Sequence, residues 1–163
     1  GPREVLGAGN WRGTVHSIWR NVIPSFIWKS LNNKPIPLNN NGKSTRDFIY
    51  VKDLVDGLIL CAIKGKEGGV YNLATGQETE ILKLANIIVK LTKSDSELQL
   101  LPARNWDRSG KRFASIDKAS SELGFNAQIN IEEGIKLTIQ WTKKNYESIK
   151  FNVKKHETLI GNK

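Results

Sequence analysis

The sequence predicts a mixed α/β fold from three observations. Residues 45–51 are rich in β-branched and aromatic side chains, which favour a strand. Apolar residues then recur at helical spacing, at Leu54, Leu58, Cys61 and Ala62. Further short strand and helix patterns alternate along the rest of the chain. The length of 163 residues suits one domain with a sizeable core.

Composition and cysteine content narrow the class of protein. The hydrophobic content of 39% and charged content of 25% indicate a soluble globular chain and argue against disorder. The longest apolar run, Leu58–Ile63, ends at Lys64 and is far shorter than the roughly 20 residues that cross a bilayer. A single cysteine, Cys61, cannot form an internal disulfide, which fits a reducing cytoplasm. We therefore expect a cytoplasmic protein with no membrane partner.

The net charge of +9, from 25 basic and 16 acidic residues, suggests a polyanion as an alternative ligand. The basic residues are scattered, however, and the densest group lies near the end, at Lys143, Lys144, Lys150, Lys154 and Lys155. The chain shows no zinc-ligand spacing and no basic recognition helix. We therefore expect nucleic acid not to be a partner.

The first helix is predicted over Asn21–Leu31. Phe26, Ile27 and Leu31 form its apolar face, and Pro24 lies in the first turn, where its missing N–H does no harm. A turn follows at 32–35, then an extended piece, Ile36–Leu38. The next turn, Asn40-Asn41-Gly42, contains residue types that tolerate a left-handed backbone.

The middle of the chain predicts two more strands around a helix. Val70–Leu73 has strand residues after a Gly-Gly turn, and Leu98–Leu101 is a second short strand. Thr79 is the expected N-cap of the helix between them. The apolar face of that helix is formed by Ile81, Leu84, Ala85, Ile88 and Leu91.

The last third predicts two helices. A short one runs from Asp117 to Leu123 and is closed by Gly124. The next begins at a capping box, Asn130 to Glu133, and its apolar side contains Ile131, Ile135, Leu137, Thr138 and Trp141. Residues 146–163 are predicted to be a basic tail, frayed or partly helical. Residues 1–20 are predicted to be a loop that docks through Trp11 and Trp19.

Arg46 is the first candidate for chemistry. It lies where the predicted strand leaves an Asn-rich loop, and a guanidinium offers paired donors to a phosphate or carboxylate. The alternative is a surface ion pair between Arg46 and Asp47. The local sequence leaves both possibilities open.

Six motifs in a fixed order resemble those of one family. They are Gly1-Pro2-Arg3, Asn21-Val22-Ile23-Pro24, the stretch Arg46–Asp53, the stretch Val70–Gly76, Arg104-Asn105-Trp106-Asp107 and Leu123-Gly124-Phe125. Together they resemble the substrate domain of extended short-chain dehydrogenase/reductase proteins, the NAD-dependent nucleotide-sugar epimerases and dehydratases. The resemblance covers roughly residues 1–145 and only the second half of such a protein. It implies a C-terminal nucleotide-sugar-binding domain at 1–145, with the Rossmann half absent from this chain.

The resemblance implies a set of substrate-binding residues. It places Asn21 and Val22 beside the nucleotide diphosphate and Arg46 on a phosphate. It places Arg104 on the diphosphate and Asp107 on the ribose hydroxyls. The remaining implied contacts are Pro37 and Asn39, which run along the base, and Phe48, which faces the nucleotide.

Simpler roles remain open for some of these residues. Asn21 is also a suitable helix N-cap. Arg104 and Asp107 could pair with each other in a loop. The turn Asn40-Asn41-Gly42 departs from the Gly-Asp-Gly of relatives, so the identity of the base stays undetermined.

The chain lacks the features that would make it a complete enzyme. Gly7-Ala8-Gly9 neither follows a strand nor opens a helix, so it does not predict a dinucleotide site. The family's Tyr-x-x-x-Lys pair occurs only as Tyr146–Lys150, away from the family position. His16 and His156 show no metal spacing. We therefore predict no catalytic, cofactor or metal residues here, with NAD bound by a missing N-terminal Rossmann domain.

The functional hypothesis is the substrate-binding portion of an NAD-dependent nucleotide-sugar epimerase or dehydratase. A UDP-glucose 4-epimerase-like protein is the first expectation, and a dTDP-sugar or GDP-sugar dehydratase is the rival with the same fold. The alternative is a non-catalytic module that binds polyanions or a protein partner. The chain has no methionine, so we expect it to be a fragment. Because the Rossmann half is absent from it, we expect the fragment to be inactive alone. The apolar helix within Lys52–Ile63 suggests that the fragment forms a homodimer.

Overall fold

The structure, a computed structural model, describes residues 21–105 and 110–161, with side chains described as far as Lys154. These residues form five α-helices and four short strands. In chain order they are α1 (Val22–Leu31), β1 (Ile36–Leu38), β2 (Thr45–Arg46), α2 (Val51–Lys64), β3 (Thr79–Glu80), α3 (Ile81–Thr92), β4 (Leu98–Leu100), α4 (Ile131–Lys144) and α5 (Tyr146–Gly161). A 3₁₀ turn, Asn39–Gly42, and a π-helical turn, Ala119–Leu123, complete the set.

The four strands form two separate pairs. Strand β1 lies parallel to β4, with Ile36 opposite Leu98 and Leu38 opposite Leu100. Strand β2 lies antiparallel to β3, with Arg46 opposite Thr79. Helices α1 and α3 pack against β1, and α3 also contacts β3, so the mixed α/β prediction is confirmed.

The largest hydrophobic core lies between α1, α3, α4 and β1. Its most deeply buried side chains have no exposed surface: Ile27, Ile36, Leu38, Leu84, Ala85, Ile88 and Ile135. The periodic apolar face predicted for α3 is the face that packs here. Each full burial of an aliphatic side chain contributes about 1.5–3 kcal/mol, so this core holds the strand pair β1–β4 against the helices.

Helix α5 packs on α1 through a second cluster. Ile149 and Val153 are buried against Trp28, and the Tyr146 ring stacks on the Trp28 ring with centroids 4.9 Å apart. The Tyr146 hydroxyl also donates a hydrogen bond of 2.7 Å to Asn32. The segment predicted to be frayed or partly helical is therefore a helix with a buried face. The division of the chain at residue 145 stays a prediction.

A third cluster holds α2 against the π-helical turn. Ala119, Leu123 and Phe125 are its buried members. Gly57 allows the close approach, because a Cβ there would lie 2.9 Å from side-chain atoms of Leu73 and Phe125.

Two polar contacts fix the ends of α2. Asp53, 4% exposed, accepts a hydrogen bond of 2.9 Å from the Ile129 amide. Lys64 Nζ donates to the Leu123 carbonyl at 3.2 Å. Asp53, in the first turn of α2, thus makes a long-range contact with the chain before α4.

The opposite face of α2 is apolar and exposed. Four large apolar residues on this face are 46–74% exposed, namely Val55, Leu58, Ile59 and Ile63. We call the surface that they form the α2 apolar face. The helical spacing of Leu58 predicted the helix but not which of its sides is buried. Gly57 and Asp53 occupy the buried side, because the helix approaches Phe125 through its glycine.

Three predicted boundaries differ from the structure. The strand predicted over 45–51 is paired only at Thr45 and Arg46, and α2 already begins at Val51. Thr79 is part of β3, and the N-cap of α3 is Glu80. Residues 70–73 pair with no strand among the described residues, and Val70 is 79% exposed. A strand needs a neighbour, which composition alone does not reveal.

Other local predictions are confirmed. The Asn130 side chain accepts a hydrogen bond of 2.9 Å from the Glu133 amide and so caps α4. Gly124 ends the π-helical turn with a φ of 72°. Asn40 and Asn41 adopt left-handed φ values of 53° and 51°, as their residue type predicted.

Some predictions fall outside the described part of the chain. These concern the loop at 1–20 with Trp11, Trp19 and His16, and also Trp106 and Asp107. Within the described helices, none has both the length and the apolar character needed to cross a membrane.

Truncation of Trp28 tests the packing of α5. We expect Trp28→Ala to lower the free energy of unfolding by about 3–5 kcal/mol, since it removes a buried ring and leaves a cavity. Urea denaturation measures the loss, and amide hydrogen exchange should rise most in α5. Phe151→Ala is the control, because Phe151 is 70% exposed on the same helix. Equal effects of the two substitutions would contradict the packing described here.

Candidate functional site

Arg46 is held by backbone carbonyl groups at the end of β2. Its Nη1 donates to the Thr45 carbonyl at 2.6 Å and to the Gly110 carbonyl at 3.4 Å. The Gly110 carbonyl also accepts the Thr45 amide at 3.0 Å. A guanidinium restrained in this way is pre-ordered for an oxyanion such as a phosphate or a carboxylate.

Asp47 faces a different part of the molecule. Its Oδ1 accepts hydrogen bonds from the amide and the hydroxyl of Thr75, and its Oδ2 accepts the Gly76 amide at 2.9 Å. Among the described residues, no ion pair joins Asp47 to Arg46. The surface pair that the sequence left open is therefore not the arrangement in the structure.

The turn after β1 is connected to the chain that leads to Arg104. The Leu101 amide donates to the Leu38 carbonyl, and the Asn41 amide donates to the Leu101 carbonyl at 2.9 Å. Pro37 and Asn39, both half-buried, lie on this connected segment. The predicted base-contacting residues are thus joined to the start of the loop that contains Arg104.

The described residues on either side of 106–109 are bonded to neighbouring elements. Leu101 is bonded to the turn at Asn41, and Gly110 is bonded to Thr45 and Arg46. Arg104 has an exposed side chain, and so do the basic residues Lys43, Lys111 and Arg112. Basic residues are thus concentrated in the sequence segments 43–46 and 104–112, which we call the basic region.

The other predicted contacts lie at the edge of the main core. Asn21 is the exposed N-cap residue of α1, and its side chain makes no capping hydrogen bond. Val22 and Phe48 are half-buried and pack against the main core. The binding roles implied for these three residues stay predictions.

Sequence reasoning missed three residues of this region. Thr75 and Gly76 hold Asp47, while the Gly110 carbonyl holds Arg46. The segment at 74–76 was expected to be scaffold only. A backbone amide or carbonyl carries no signature in the sequence, although Gly76, with its φ of 71°, could have suggested a tight turn.

One carboxylate beside the 71–76 segment has a shifted pKa. The Tyr71 hydroxyl donates to Glu122 at 2.8 Å, and Lys66 Nζ lies 3.3 Å from the same carboxylate. The hydrogen bond from Tyr71 is the largest cause that lowers the pKa of Glu122, and Lys66 and Lys118 lower it further. The hydrogen bond between Tyr71 and Glu122 restrains the start of the segment 71–76, which supplies the donors to Asp47.

Two kinds of cofactor-binding feature are not found among the described residues. The residues at the starts of α1 to α4 are Asn21, Tyr50, Glu80 and Asn130, and none of these starts has the glycine-rich turn that holds a pyrophosphate. The described residues also contain no group of three potential metal ligands. Tyr146 stacks on Trp28 and binds Asn32, so a structural role accounts for its contacts.

Residues 2–74 match the model of the NAD dependent epimerase/dehydratase family. Proteins similar to the chain include a dTDP-D-glucose 4,6-dehydratase, a UDP-glucuronic acid decarboxylase and a UDP-glucose 4-epimerase. The match ends at Ala74, so the motifs from Arg104 onward lie beyond it.

Three individual proteins are similar to the chain over most of its length. The chain is 48% identical to the Bordetella bronchiseptica enzyme WbmF, solved with NAD⁺ and UDP, with a TM-score of 0.87 over 98% of this chain and 47% of that one. It is 29% identical to the UDP-glucose 4-epimerase of Thermotoga maritima, solved with UDP-glucose, with a TM-score of 0.73 over 77% of this chain and 40% of that one. It is 32% identical to human dTDP-D-glucose 4,6-dehydratase over 86% of this chain and 41% of that protein. The chain thus spans less than half the length of each.

Removal of the Tyr71 hydroxyl tests the Glu122 contact. We expect Tyr71→Phe to raise the pKa of Glu122 towards its ordinary value of about 4.3. The ionised Glu122 stabilises the native fold above that value, and the stabilisation is lost as pH falls through the lowered pKa. The variant should therefore lose less stability on acidification. NMR titration of the Glu122 carboxyl measures the shift, and Tyr146→Phe, which removes a hydroxyl elsewhere, should leave it unchanged.

Proposed function

We propose that this chain is the C-terminal, nucleotide-sugar-binding portion of an NAD-dependent epimerase or dehydratase. The observation that carries the proposal is that Arg46 is bonded to the Gly110 carbonyl, at the end of a basic segment that also contains Arg104. Two guanidinium groups complement a diphosphate, because they offer fixed paired donors to a dianion. The likeness to WbmF, whose structure contains UDP, supports a uridine nucleotide as the ligand.

The individual roles follow the resemblance. Arg46 and Arg104 bind the diphosphate, and the start of α1 at Asn21 and Val22 adds a helix N-terminus that favours an anion. Pro37 and Asn39 lie along the base. Asp107 binds the ribose, and Phe48 lines the nucleotide. In this proposal the chain binds and orients the substrate.

NAD chemistry belongs to the remainder of the full-length protein. NAD, when bound there, would supply hydride transfer at a sugar carbon. The described residues offer no site for it, so this chain alone is proposed to be inactive. The full-length enzyme is proposed to be an isomerase or lyase, with UDP-glucose 4-epimerisation as the first candidate reaction and a cytoplasmic location.

Two features support a missing partner domain. The α2 apolar face is open to solvent, and the extended segment 70–73 has no neighbouring strand among the described residues. Apolar surface of this kind is stabilised when another part of the protein covers it. We propose that the N-terminal Rossmann portion covers it in the full-length protein, and that the isolated chain self-associates through it.

Substitution of Arg46 in the full-length protein tests the proposed site. We expect Arg46→Ala to weaken UDP binding about 10- to 100-fold, since a charge-assisted hydrogen bond contributes about 1.5–3 kcal/mol. Isothermal titration calorimetry with UDP gives the dissociation constant. Lys150→Ala is the control, because it removes an exposed positive charge from α5, outside the basic region, and should change affinity less than about twofold. Equal weakening by both variants would favour the alternative, a general polyanion-binding surface.

Self-association of the isolated chain tests the role of α2. We expect light scattering to show a dimer that dissociates on dilution, and Leu58→Glu to yield a monomer, because a carboxylate on the apolar face opposes its burial. Phe151→Glu, on the exposed side of α5, should leave association unchanged. A monomer at every concentration would contradict the proposed use of the α2 apolar face.

A further inference from the structure

Arg46 and Asp47 are adjacent residues with opposite charges. A carboxylate next to a guanidinium competes with an incoming anion, because it can neutralise the guanidinium and occupy its donors. A site that uses Arg46 for a phosphate therefore needs its neighbouring carboxylate to be directed elsewhere. This requirement rests on the proposed function of Arg46.

The structure supplies three hydrogen-bond donors for the Asp47 carboxylate. The Thr75 amide donates to Asp47 Oδ1 at 3.0 Å, and the Thr75 hydroxyl donates to the same oxygen. The Gly76 amide donates to Oδ2 at 2.9 Å. These three donors come from residues 28 and 29 positions further along the chain, so the arrangement depends on the fold.

The loop that supplies these donors is itself held in shape. The Thr75 hydroxyl accepts a hydrogen bond of 3.2 Å from the Gln77 amide while it donates to Asp47. Gly76 has a left-handed φ of 71°, and its Cα position faces Ile116 closely enough that a Cβ would lie 3.3 Å from that side chain. Asn72 Nδ2 donates to the Ser115 carbonyl at 3.1 Å. The loop is thus fixed on both sides of the carboxylate that it binds.

The structure also separates the two side chains of the dipeptide. Arg46 donates to the Gly110 carbonyl on one side, while Asp47 accepts from Thr75 and Gly76 on the other. Successive side chains along an extended backbone point to opposite sides, so Arg46 and Asp47 reach different partners.

We propose that Thr75 and Asp47 are positioning residues for the anion site at Arg46. The loop Thr75–Gly76 holds the Asp47 carboxylate away from Arg46, so that the guanidinium binds the nucleotide diphosphate instead of its neighbour. The hydroxyl of Thr75 is the side-chain group that performs this function.

The test uses the full-length protein, UDP as the probe and calorimetry as the measurement. Thr75→Val removes the hydroxyl donor and nearly keeps the shape of the side chain. We expect it to weaken UDP binding by about three- to tenfold, since a carboxylate that loses a donor turns to the adjacent guanidinium. Thr75→Ser keeps the hydroxyl and should restore the affinity.

The double variant Asp47→Asn/Thr75→Val separates charge from loop structure. Removal of the competing charge should make it bind UDP more tightly than Thr75→Val does. If the loop acted only as scaffold, the double variant would bind UDP as weakly as Thr75→Val or more weakly, and the proposal would be overturned. Unchanged affinity in Thr75→Val would overturn it as well.

Two further results complete the test. If Thr75→Val does not fold, the Asp47→Asn variant tests the proposal instead. A loss of UDP affinity beyond about tenfold in folded Asp47→Asn overturns the proposal. The Arg46→Ala variant is measured beside these. Weakened binding there, with no effect of Thr75→Val, rejects the positioning role and leaves the proposed function intact. No effect of Arg46→Ala rejects the proposed anion site itself.

Discussion

The carbonyl of Gly110 determines how the basic region is built, because it accepts hydrogen bonds from both the Thr45 amide and Arg46 Nη1. These bonds join β2 to Gly110, while Leu101 is bonded to Leu38 and Asn41. The bond to Gly110 restrains the Arg46 guanidinium before a ligand binds, which lowers the entropic cost of using its charge for recognition. The main core supports this arrangement, since it holds Leu38 and the rest of β1 against the helices.

The sequence predicted those parts of the fold that depend on local rules. The face of α3 followed from apolar spacing, and Leu84, Ala85 and Ile88 are fully buried. The start of α4 followed from the capping geometry of Asn130. These features depend on neighbours within one or two helical turns, which a sequence pattern records directly.

The features that depend on distant partners were not predictable. Residues 70–73 have strand composition, yet pairing needs a neighbouring strand. Leu58 has helical spacing, yet Gly57 decides which side of α2 approaches Phe125. At the candidate site, the sequence identified Arg46 but left its relation to Asp47 open, because the donors that hold Asp47 lie on another loop. The roles of Asp107 and Arg104 rest on the family resemblance.

The contact between α5 and α1 has a consequence for synthesis. Tyr146 and Asn32 are 114 residues apart, and the Tyr146 ring also stacks on Trp28. On a ribosome, α1 therefore emerges well before α5 is made, and the contacts between the two helices wait until more than a hundred further residues have been added. Closing so long a loop is slow compared with local helix formation, so these contacts belong to the late steps of folding.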